Sequence, residues 1–388
     1  MFGGSWLETT KSYITIDVVD PQITVESLQI VFGSLYNDEV ILNPKDIVPV
    51  LAAATMFQLD GIIEKCTEVM METINPKTVF TYYDAASQYG HKKLKEACIY
   101  WFLVNLMTYY YSGSLVTLRT IPVSLMISLV ANPDLFVMQT EFSIYVMLKF
   151  WMYMHLHPDL NESPPVKEIN TFYCSRKGET AFLLTKEGEK FKPAFRGLRL
   201  HNLISHYMDV EMIERDNIVP QHWLNPVVVD QWKTMLKINQ NEDSGPSADL
   251  SADLFLNKSL RCGRILNERG RHMWRWTGFH YGIDLLMITD CTTLSIKRNH
   301  RPEFEQLLSQ QNSRNISIRV TVVSLNEQRQ VVYKQTSEMR NLTLTKSEEI
   351  TLMTLDKDLR FPLIISTNVL FTTPNNQELQ EQTIQTIG

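Results

Sequence analysis

The sequence predicts a multidomain α+β chain, with an α/β N-terminal part, an all-α middle and a C-terminal all-β sandwich-like domain. Three observations support this class. Apolar residues recur at helical spacing from about residue 75 to 230, and residues 240–253 form a polar, small-residue linker. Beyond the linker the apolar residues alternate with a period of two, which is typical of strands. At 388 residues the chain has room for two or three domains.

The composition is that of an ordinary globular protein. Hydrophobic residues make up 44% and charged residues 21% of the chain. The formal net charge of -6 argues against broad nucleic-acid binding, which needs a basic surface. The five cysteines form no CxxC pair, so we expect reduced thiols in the nucleus or cytosol. No secretory signal is evident, and no apolar stretch is long enough to predict a membrane span.

The N-terminal part is predicted to mix short strands and helices. Residues 13–18 alternate like a strand, and Val25 to Leu35 follow helical spacing. Residues 34–38 look like a strand end and a turn, and residues 51–60 like part of a packed helix pair. Pro49 is expected to bend or fray the helix start, at a cost of about 3 kcal/mol if it lies in the helix interior.

The middle of the chain is predicted to be helical. Asn75-Pro76 starts one helix and Gly90 closes it. We expect two further helices to bury apolar faces. Their buried residues are predicted to be Leu94, Cys98, Trp101, Phe102 and Asn105 in one, and Ile144, Tyr145, Leu148, Trp151 and Met152 in the other.

Eight short strands are predicted after the linker, which favours a β-sandwich or a barrel-like domain. Their approximate bounds are 273–279, 283–288, 293–297, 316–323, 331–334, 342–344, 350–355 and 363–371. The last dozen residues are rich in Gln and Thr and are expected to form a loose tail.

No catalytic motif is present in the sequence. It contains no GxSxG, HExxH or P-loop, and no GxGxxG followed by an acidic residue. Two histidine pairs, His155 with His157 and His201 with His206, lack cysteine or carboxylate partners at zinc spacing. We therefore predict a protein that is not an enzyme, with no cofactor and no metal. The absence of a C2H2 finger disfavours a DNA-binding transcription factor.

The N-terminal third resembles the second half of a BTB (POZ) domain, a docking module. The resemblance rests on residues 34–38 and on the run Leu51 to Asp60, which is similar to the BTB pattern LLxAAxxLQL. Residues 1–8 look like the middle of that domain, so its first half, with the dimerisation helix, is expected to be absent. Trp6-Leu7-Glu8 occupies the place of the hydrophobic-x-Glu motif of cullin-binding BTB domains.

Read as a whole, the chain resembles the germ cell-less family. The resemblance is carried by residues 32–36, 59–61, 135–139, 261–264 and 274–279. It implies the following division: 1–74, C-terminal half of a BTB domain; 75–239, a BACK-like helical domain; 240–258, a linker; 259–374, a family-specific β-rich domain; 375–388, a tail.

The family resemblance implies a substrate adaptor of a cullin-3 RING ubiquitin ligase that acts in germ-cell development. It further implies a location at the nuclear envelope or nuclear matrix, with some cytoplasmic or membrane-associated protein, and a homodimer if the BTB domain is complete. The alternative is a nuclear-envelope scaffold, in contact with lamina proteins, or a transcriptional co-regulator, in both cases without ubiquitin transfer. These two hypotheses are distinguished by whether the half-life of a partner changes when the protein is removed.

Two sets of site residues follow from these interpretations. The predicted cullin contacts are Trp6, Leu7, Glu8 and Tyr36; the alternatives are core packing for Trp6, an exposed charge for Glu8 and a turn aromatic for Tyr36. The predicted substrate contacts are Trp274, Trp276, Phe279 and Arg275; the alternative is that both tryptophans fill the sandwich core.

A basic run accompanies the second set, and it offers a site for an acidic or phosphorylated peptide or else a solvated strand face. The run consists of Arg261, Arg264, Arg269, Arg271 and Arg275. Exposed strand edges of the β-rich domain are a further candidate for peptide binding.

Overall fold

The computed structural model describes residues 15–36, 41–111, 115–176, 180–242, 245–246, 250–290, 292–356 and 359–373. The chain divides into two compact units, Met1–Trp101 and Phe102–Gly388. The predicted multidomain α+β class, with helices followed by an all-β region, is confirmed. The predicted domain limits at 74, 239 and 258 remain predictions.

The first unit is helical in its described part. Its helices are α1 (Val25–Gly33), α2 (Ile47–Met56), α3 (Asp60–Glu72), α4 (Val79–Gln88) and the greater part of α5 (Lys92–Asn105). Three consecutive alanines in α2, Ala52 to Ala54, are buried and allow close packing against α3. Gly90 has a φ of 77°, which favours glycine and explains why α4 ends there, as the sequence predicted.

Three details of this unit differ from the sequence prediction. Residues 15–18 form no strand, so the strand predicted over 13–18 is wrong in its described part. Ser34 is the C-cap of α1 and not a strand end. Pro49 lies in the first turn of α2, where the backbone N–H needs no helical partner, so the expected cost does not arise.

The second unit begins with helices that surround an apolar core. They are α6 (Leu115–Leu118), α7 (Val123–Ala131), α8 (Glu141–Leu156), α9 (Val166–Cys174), α10 (Lys192–Arg196), α11 (Tyr207–Asp216), α12 (Gln221–Asn239) and α13 (Ala252–Lys258). A π-helical turn, Leu106–Tyr111, follows α5. Short 3₁₀ turns span Phe182–Leu184, Glu189–Phe191, Leu200–Asn202, Phe279–Tyr281 and Pro302–Leu307.

The burial predicted for the helical core is confirmed. All five residues of the α8 stripe, Ile144 to Met152, are fully buried. Trp151 donates from Nε1 to the carbonyl oxygen of Ile121 at 2.9 Å, so its polar atom is satisfied inside the core. The five inward residues predicted for α5, Leu94 to Asn105, are likewise buried.

The C-terminal strands form two antiparallel sheets. The strands are β1 (Leu260–Leu266), β2 (His272–Gly278), β3 (Ile283–Thr289), β4 (Thr293–Arg298), β5 (Ser313–Leu325), β6 (Val331–Thr336), β7 (Arg340–Thr345), β8 (Glu349–Thr354) and β9 (Leu363–Thr372). One sheet has the order β1-β9-β5-β6 with β7 also on β5, and the other has the order β2-β3-β4-β8. All eight predicted strands are therefore present, and only β1 was missed.

The two longest strands organise the first sheet. β9 lies between β1 and β5 and pairs with β5 from Asn315↔Thr372 to Ser324↔Leu363. The other side of β5 pairs with β7 along its first half and with β6 along its second half. Apolar residues from both sheets form a single core cluster, which confirms the predicted sandwich.

Candidate protein-binding surfaces

The N-terminal candidate surface is only partly described. Trp6, Leu7 and Glu8 lie outside the described residues, so the structure does not test their cullin contact. Tyr36 lies in the turn after α1 and is 89% exposed. Its backbone N–H donates to the carbonyl oxygen of Gly33 at 3.1 Å, which fixes the turn while the phenol ring projects into solvent. The aromatic ring is thus available to a partner, and its role remains a prediction.

The turn that carries Tyr36 rests on a firm support. Val31 of α1 is fully buried, and the ring of Phe32 lies 4.9 Å from that of Phe57, which follows α2. The α1–α2 contact therefore holds the base of the turn. Leu35, which precedes Tyr36, is exposed and extends the apolar surface.

Within the second unit, a buried ion pair joins the sandwich to the helices. Arg261 of β1 donates from Nε to Glu141 Oε2 at 3.0 Å and from Nη2 to Glu141 Oε1 at 2.5 Å. Its Nη1 donates to the carbonyl oxygens of Val130 and Asn132 at 2.9 and 3.0 Å. Neither side chain of the pair reaches solvent. Arg261 therefore does not belong to a surface basic run, and that part of the sequence interpretation is wrong.

Backbone contacts reinforce this junction. Gln139 and Gly263 exchange main-chain hydrogen bonds of 3.0 and 3.3 Å. A Cβ atom at Gly263 would lie 2.3 Å from the carbonyl oxygen of Val137 and 2.7 Å from the ring of Phe136. Only glycine lets the segment before α8 approach β1 this closely.

Further arginines make contacts near the junction between the helices and the sandwich. Arg199, after α10, donates to Ser259 and to the carbonyl oxygen of Leu256. Arg319 of β5 forms an ion pair with Asp134 at 2.5 Å. In the β5–β6 turn, Arg329 donates from Nη1 to the carbonyl oxygen of Thr108 at 3.0 Å.

Together with the buried pair, these contacts fix the sandwich against the helices of its own unit. The contacts come from β1, β5 and the β5–β6 turn, so they are spread across one sheet. Several points of attachment leave little freedom for a hinge between the two parts.

The substrate residues predicted in β2 separate into buried and exposed groups. Trp276 is 8% exposed and its ring stacks on Phe371 at 5.7 Å, which fits the core alternative and not a surface anchor. Trp274 is half-buried and packs against the same core. The side chain of Phe279 lies outside the described residues. Arg275 is on the opposite face of the strand, with 42% of its side chain exposed.

A buried carboxylate that sequence reasoning missed holds Arg275. Asp284 of β3 is 1% exposed, and its Oδ2 lies 3.4 Å from Nε of Arg275 and 3.1 Å from Nε of Arg301. Thr277 donates to Oδ1 at 2.7 Å, and Asn299 donates from Nδ2 to Oδ2 at 2.8 Å. The signal in the sequence was a single acidic residue inside the apolar strand Ile283 to Thr289.

Helix α12 exposes an apolar stripe, which the sequence analysis also missed. The stripe consists of Val228, Val229, Trp232, Met235 and Leu236. Trp232 is 62% exposed, and the C-terminal half of the stripe borders a groove completed by Leu307 and Leu308. Large exposed apolar side chains at helical spacing mark a candidate contact surface.

The described residues contain neither a candidate metal site nor a candidate membrane span. No group of three or more His, Cys, Asp or Glu residues among them could hold a metal ion. In the same part of the chain, no helix combines the length and the apolar character required to cross a bilayer.

Comparison with known proteins places the chain in a family. A model described as BTB/POZ domain matches residues 1–74. Protein germ cell-less of Drosophila melanogaster is 42% identical over 406 aligned residues, which cover 98% of this chain and 71% of the relative. The chain belongs to the germ cell-less family. Germ cell-less protein-like 1 of Mus musculus is 37% identical (97% of this chain, 72% of the relative), and Germ cell-less protein-like 2 of Homo sapiens is 38% identical (96% and 72%).

Two segments on which the germ cell-less resemblance rested meet in the structure. Residues 135–139 lead into α8 and residues 261–264 lie in β1. They form the Gln139–Gly263 contact next to the Glu141–Arg261 ion pair. In this germ cell-less family chain, the two motifs thus build the junction between helices and sandwich.

Proposed function

We propose that this germ cell-less family chain is a substrate-recognition adaptor of a cullin-3 RING ubiquitin ligase that acts in germ-cell development. The observation that carries the proposal is its similarity to germ cell-less proteins over nearly the whole length, together with the BTB/POZ match at residues 1–74. The BTB part would bind cullin-3 and the C-terminal β domain would bind a protein substrate. A location at the nuclear envelope or nuclear matrix belongs to the same proposal.

Such an adaptor would promote ubiquitin transfer by holding the substrate close to the ligase. Other subunits supply the ubiquitin transfer, and the adaptor raises the effective concentration of substrate lysines near the charged carrier. A fixed distance serves this task better than a flexible one, because ordering a mobile domain would cost free energy at each encounter. The Glu141–Arg261 pair and the contacts of Arg319 and Arg329 supply such fixation within the second unit.

The proposed cullin contact uses Trp6, Leu7, Glu8 and Tyr36. A large aromatic ring with a polar tip suits a contact that is buried in the complex but wet at its rim. Tyr36 satisfies the exposure that this role requires. Among interface residues, tyrosine and tryptophan most often contribute more than 1 kcal/mol.

The test is co-purification of cullin-3 with the full chain. We expect Trp6→Ala combined with Glu8→Ala to abolish recovery of cullin-3, and Tyr36→Ala to weaken binding about tenfold, as for loss of an interface aromatic. Val19→Ala is the matched control, since Val19 is an exposed apolar residue of the same unit with no proposed contact. An unchanged circular dichroism spectrum and melting temperature show that each variant is folded. Wild-type binding by the double variant would refute the assignment.

A second measurement addresses ubiquitin transfer itself. A protein that binds the β domain should have a longer half-life in cells that lack the chain, because its degradation would depend on the adaptor. A bound partner whose half-life does not change would instead fit a scaffold at the nuclear envelope.

A further inference from the structure

The outer face of the β2-β3-β4-β8 sheet has the layout of a binding surface. The strand register places Arg275, Leu286 and Lys297 side by side in one row across β2, β3 and β4. Alternation along each strand puts Met273, two residues before Arg275, on the same face. Met273 is 59% exposed, and Leu286 and Lys297 are half-buried. An apolar centre therefore lies between two cationic side chains.

The charge of this face is positive at its centre. Asp284 is buried beneath Arg275 and Arg301, and its single negative charge faces two guanidinium groups. Lys297 adds a further positive charge one strand beyond Leu286. Glu349 on β8 is the register partner of Lys297, so three cations on this face, Arg275, Arg301 and Lys297, stand against two carboxylates, Asp284 and Glu349.

Asp284 also orients the cations. It binds Arg275 through Nε, and among the described residues it is the only carboxylate within 4.0 Å of that guanidinium. The side chain of Arg275 is 42% exposed beyond this contact, so its guanidinium can meet a partner. A guanidinium held in this way presents a planar fork that matches a carboxylate, and pre-orientation reduces the entropy lost on binding.

We propose that this face, defined by Met273, Arg275, Leu286, Lys297 and Arg301, binds an acidic segment of a protein partner. The segment places an Asp or Glu carboxylate over Leu286, between Arg275 and Lys297, and an apolar side chain against Met273. Neighbouring strands are about 4.8 Å apart, so a carboxylate over β3 is within reach of long side chains from β2 and β4. This inference rests on the proposed adaptor function, for which it names the chemical class of the substrate segment.

The mixture of charge and apolar surface favours a peptide over other anions. Met273 and Leu286 offer no contact to a phosphate backbone, whereas a peptide supplies acidic and apolar side chains within a few residues. A nucleic acid would need a longer run of cations than the three on this face. The binding energy should also depend on salt, because the cations are partly exposed.

Selection from random twelve-residue peptides displayed on phage tests the proposal with the full chain as bait. We expect the enriched peptides to carry an excess of Asp and Glu over the starting library. The best peptide is then synthesised, and its Kd is measured by fluorescence anisotropy. Arg275→Gln combined with Lys297→Gln should weaken it at least about tenfold, since two charge-assisted contacts are lost.

The control removes the same two charges elsewhere. Arg264 and Lys258 are exposed and lie outside this sheet, so Arg264→Gln with Lys258→Gln should leave the Kd unchanged within about twofold. Arg275→Gln keeps Asp284 bonded to Arg301, Thr277 and Asn299, and thermal unfolding checks that the variant is folded.

Four results would overturn the proposal. They are an enriched set without acidic excess, an unchanged Kd in the Arg275→Gln, Lys297→Gln variant, loss of binding in Trp232→Ala instead, and tighter binding of a twenty-residue oligothymidine at the same face. The selection contains no cullin, so its failure counts against this face alone. Failure of cullin-3 co-purification counts against the ligase assignment alone.

Discussion

Replacing Glu141 by glutamine should reveal how much the junction between helices and sandwich contributes to stability. The substitution keeps the size of the side chain but leaves the guanidinium of Arg261 buried without its counter-ion. Two charge-assisted bonds, at 3.0 and 2.5 Å, lose their ionic character, and the carbonyl oxygens of Val130 and Asn132 cannot neutralise the charge. Breaking a buried pair on one side costs about 3–5 kcal/mol.

The assay is urea unfolding of the full chain followed by tryptophan fluorescence. With a slope of about 3 kcal/mol per M, the expected loss lowers the transition midpoint of the second unit by about 1–1.7 M. Arg261→Met combined with Glu141→Leu removes both charges and should recover part of the loss. Together with the single variants Arg261→Met and Glu141→Leu it completes a double-mutant cycle that isolates the pair.

A matched exposed pair provides the control. Arg176 and Glu187 lie 3.2 Å apart with both side chains partly in solvent, so Glu187→Gln should change the free energy of unfolding by less than about 1 kcal/mol. If Glu141→Gln also cost less than about 1 kcal/mol, the view that this pair fastens the sandwich would be refuted.

Three further predictions concern other sites. Gly263→Ala should destabilise the fold by about 1–3 kcal/mol in chemical denaturation, because a Cβ there overlaps backbone, whereas Gly270→Ala, with only ordinary contacts, should stay within about 0.5 kcal/mol. Burial lowers the pKa of His280 from 6.5 to about 4. As the pH drops from 6.5 to 4, the unfolded state therefore binds a proton that the folded state does not, and the free energy of unfolding falls. At about 1.4 kcal/mol per pKa unit, the free energy of unfolding falls by about 3 kcal/mol over this range. The melting temperature of the His280→Gln variant should depend less on pH. Pro49→Ala should not stabilise the protein by calorimetry, because proline in the first turn of a helix loses no hydrogen bond and restrains the unfolded chain.

Periodicity predicted most of the β domain because the inward residues of its strands are apolar. β1 was missed because only one of its faces is apolar. Leu260 and Leu266 face the sandwich core, but Arg261 lies on the other face, and it resembles a surface residue until Glu141, 120 positions earlier in the chain, is placed against it. A buried charge pair between distant segments leaves no local signal in a sequence.

The candidate surface around Arg275 was predictable only in part. Alternation placed Arg275 and Trp276 on opposite faces of β2, and the structure has the tryptophan inside and the arginine outside. The partner of Arg275 could not be predicted, since strand register brings Asp284 to it, and a loop brings Arg301 to the same carboxylate. Residues 13–18 were predicted as a strand from local alternation, but residues 15–18 form none, so alternation alone is not enough to produce a strand.

The position of β9 between β1 and β5 has a consequence for synthesis of the protein. β1 ends at Leu266, and the strand that it pairs with begins only at Leu363, about 100 residues later. At a translation rate of about 5–20 residues per second, β9 is synthesised roughly 5–20 s after β1, so β1 lacks its hydrogen-bonding partner during that time. During that interval the growing β domain exposes unpaired backbone, and it is then most dependent on chaperones.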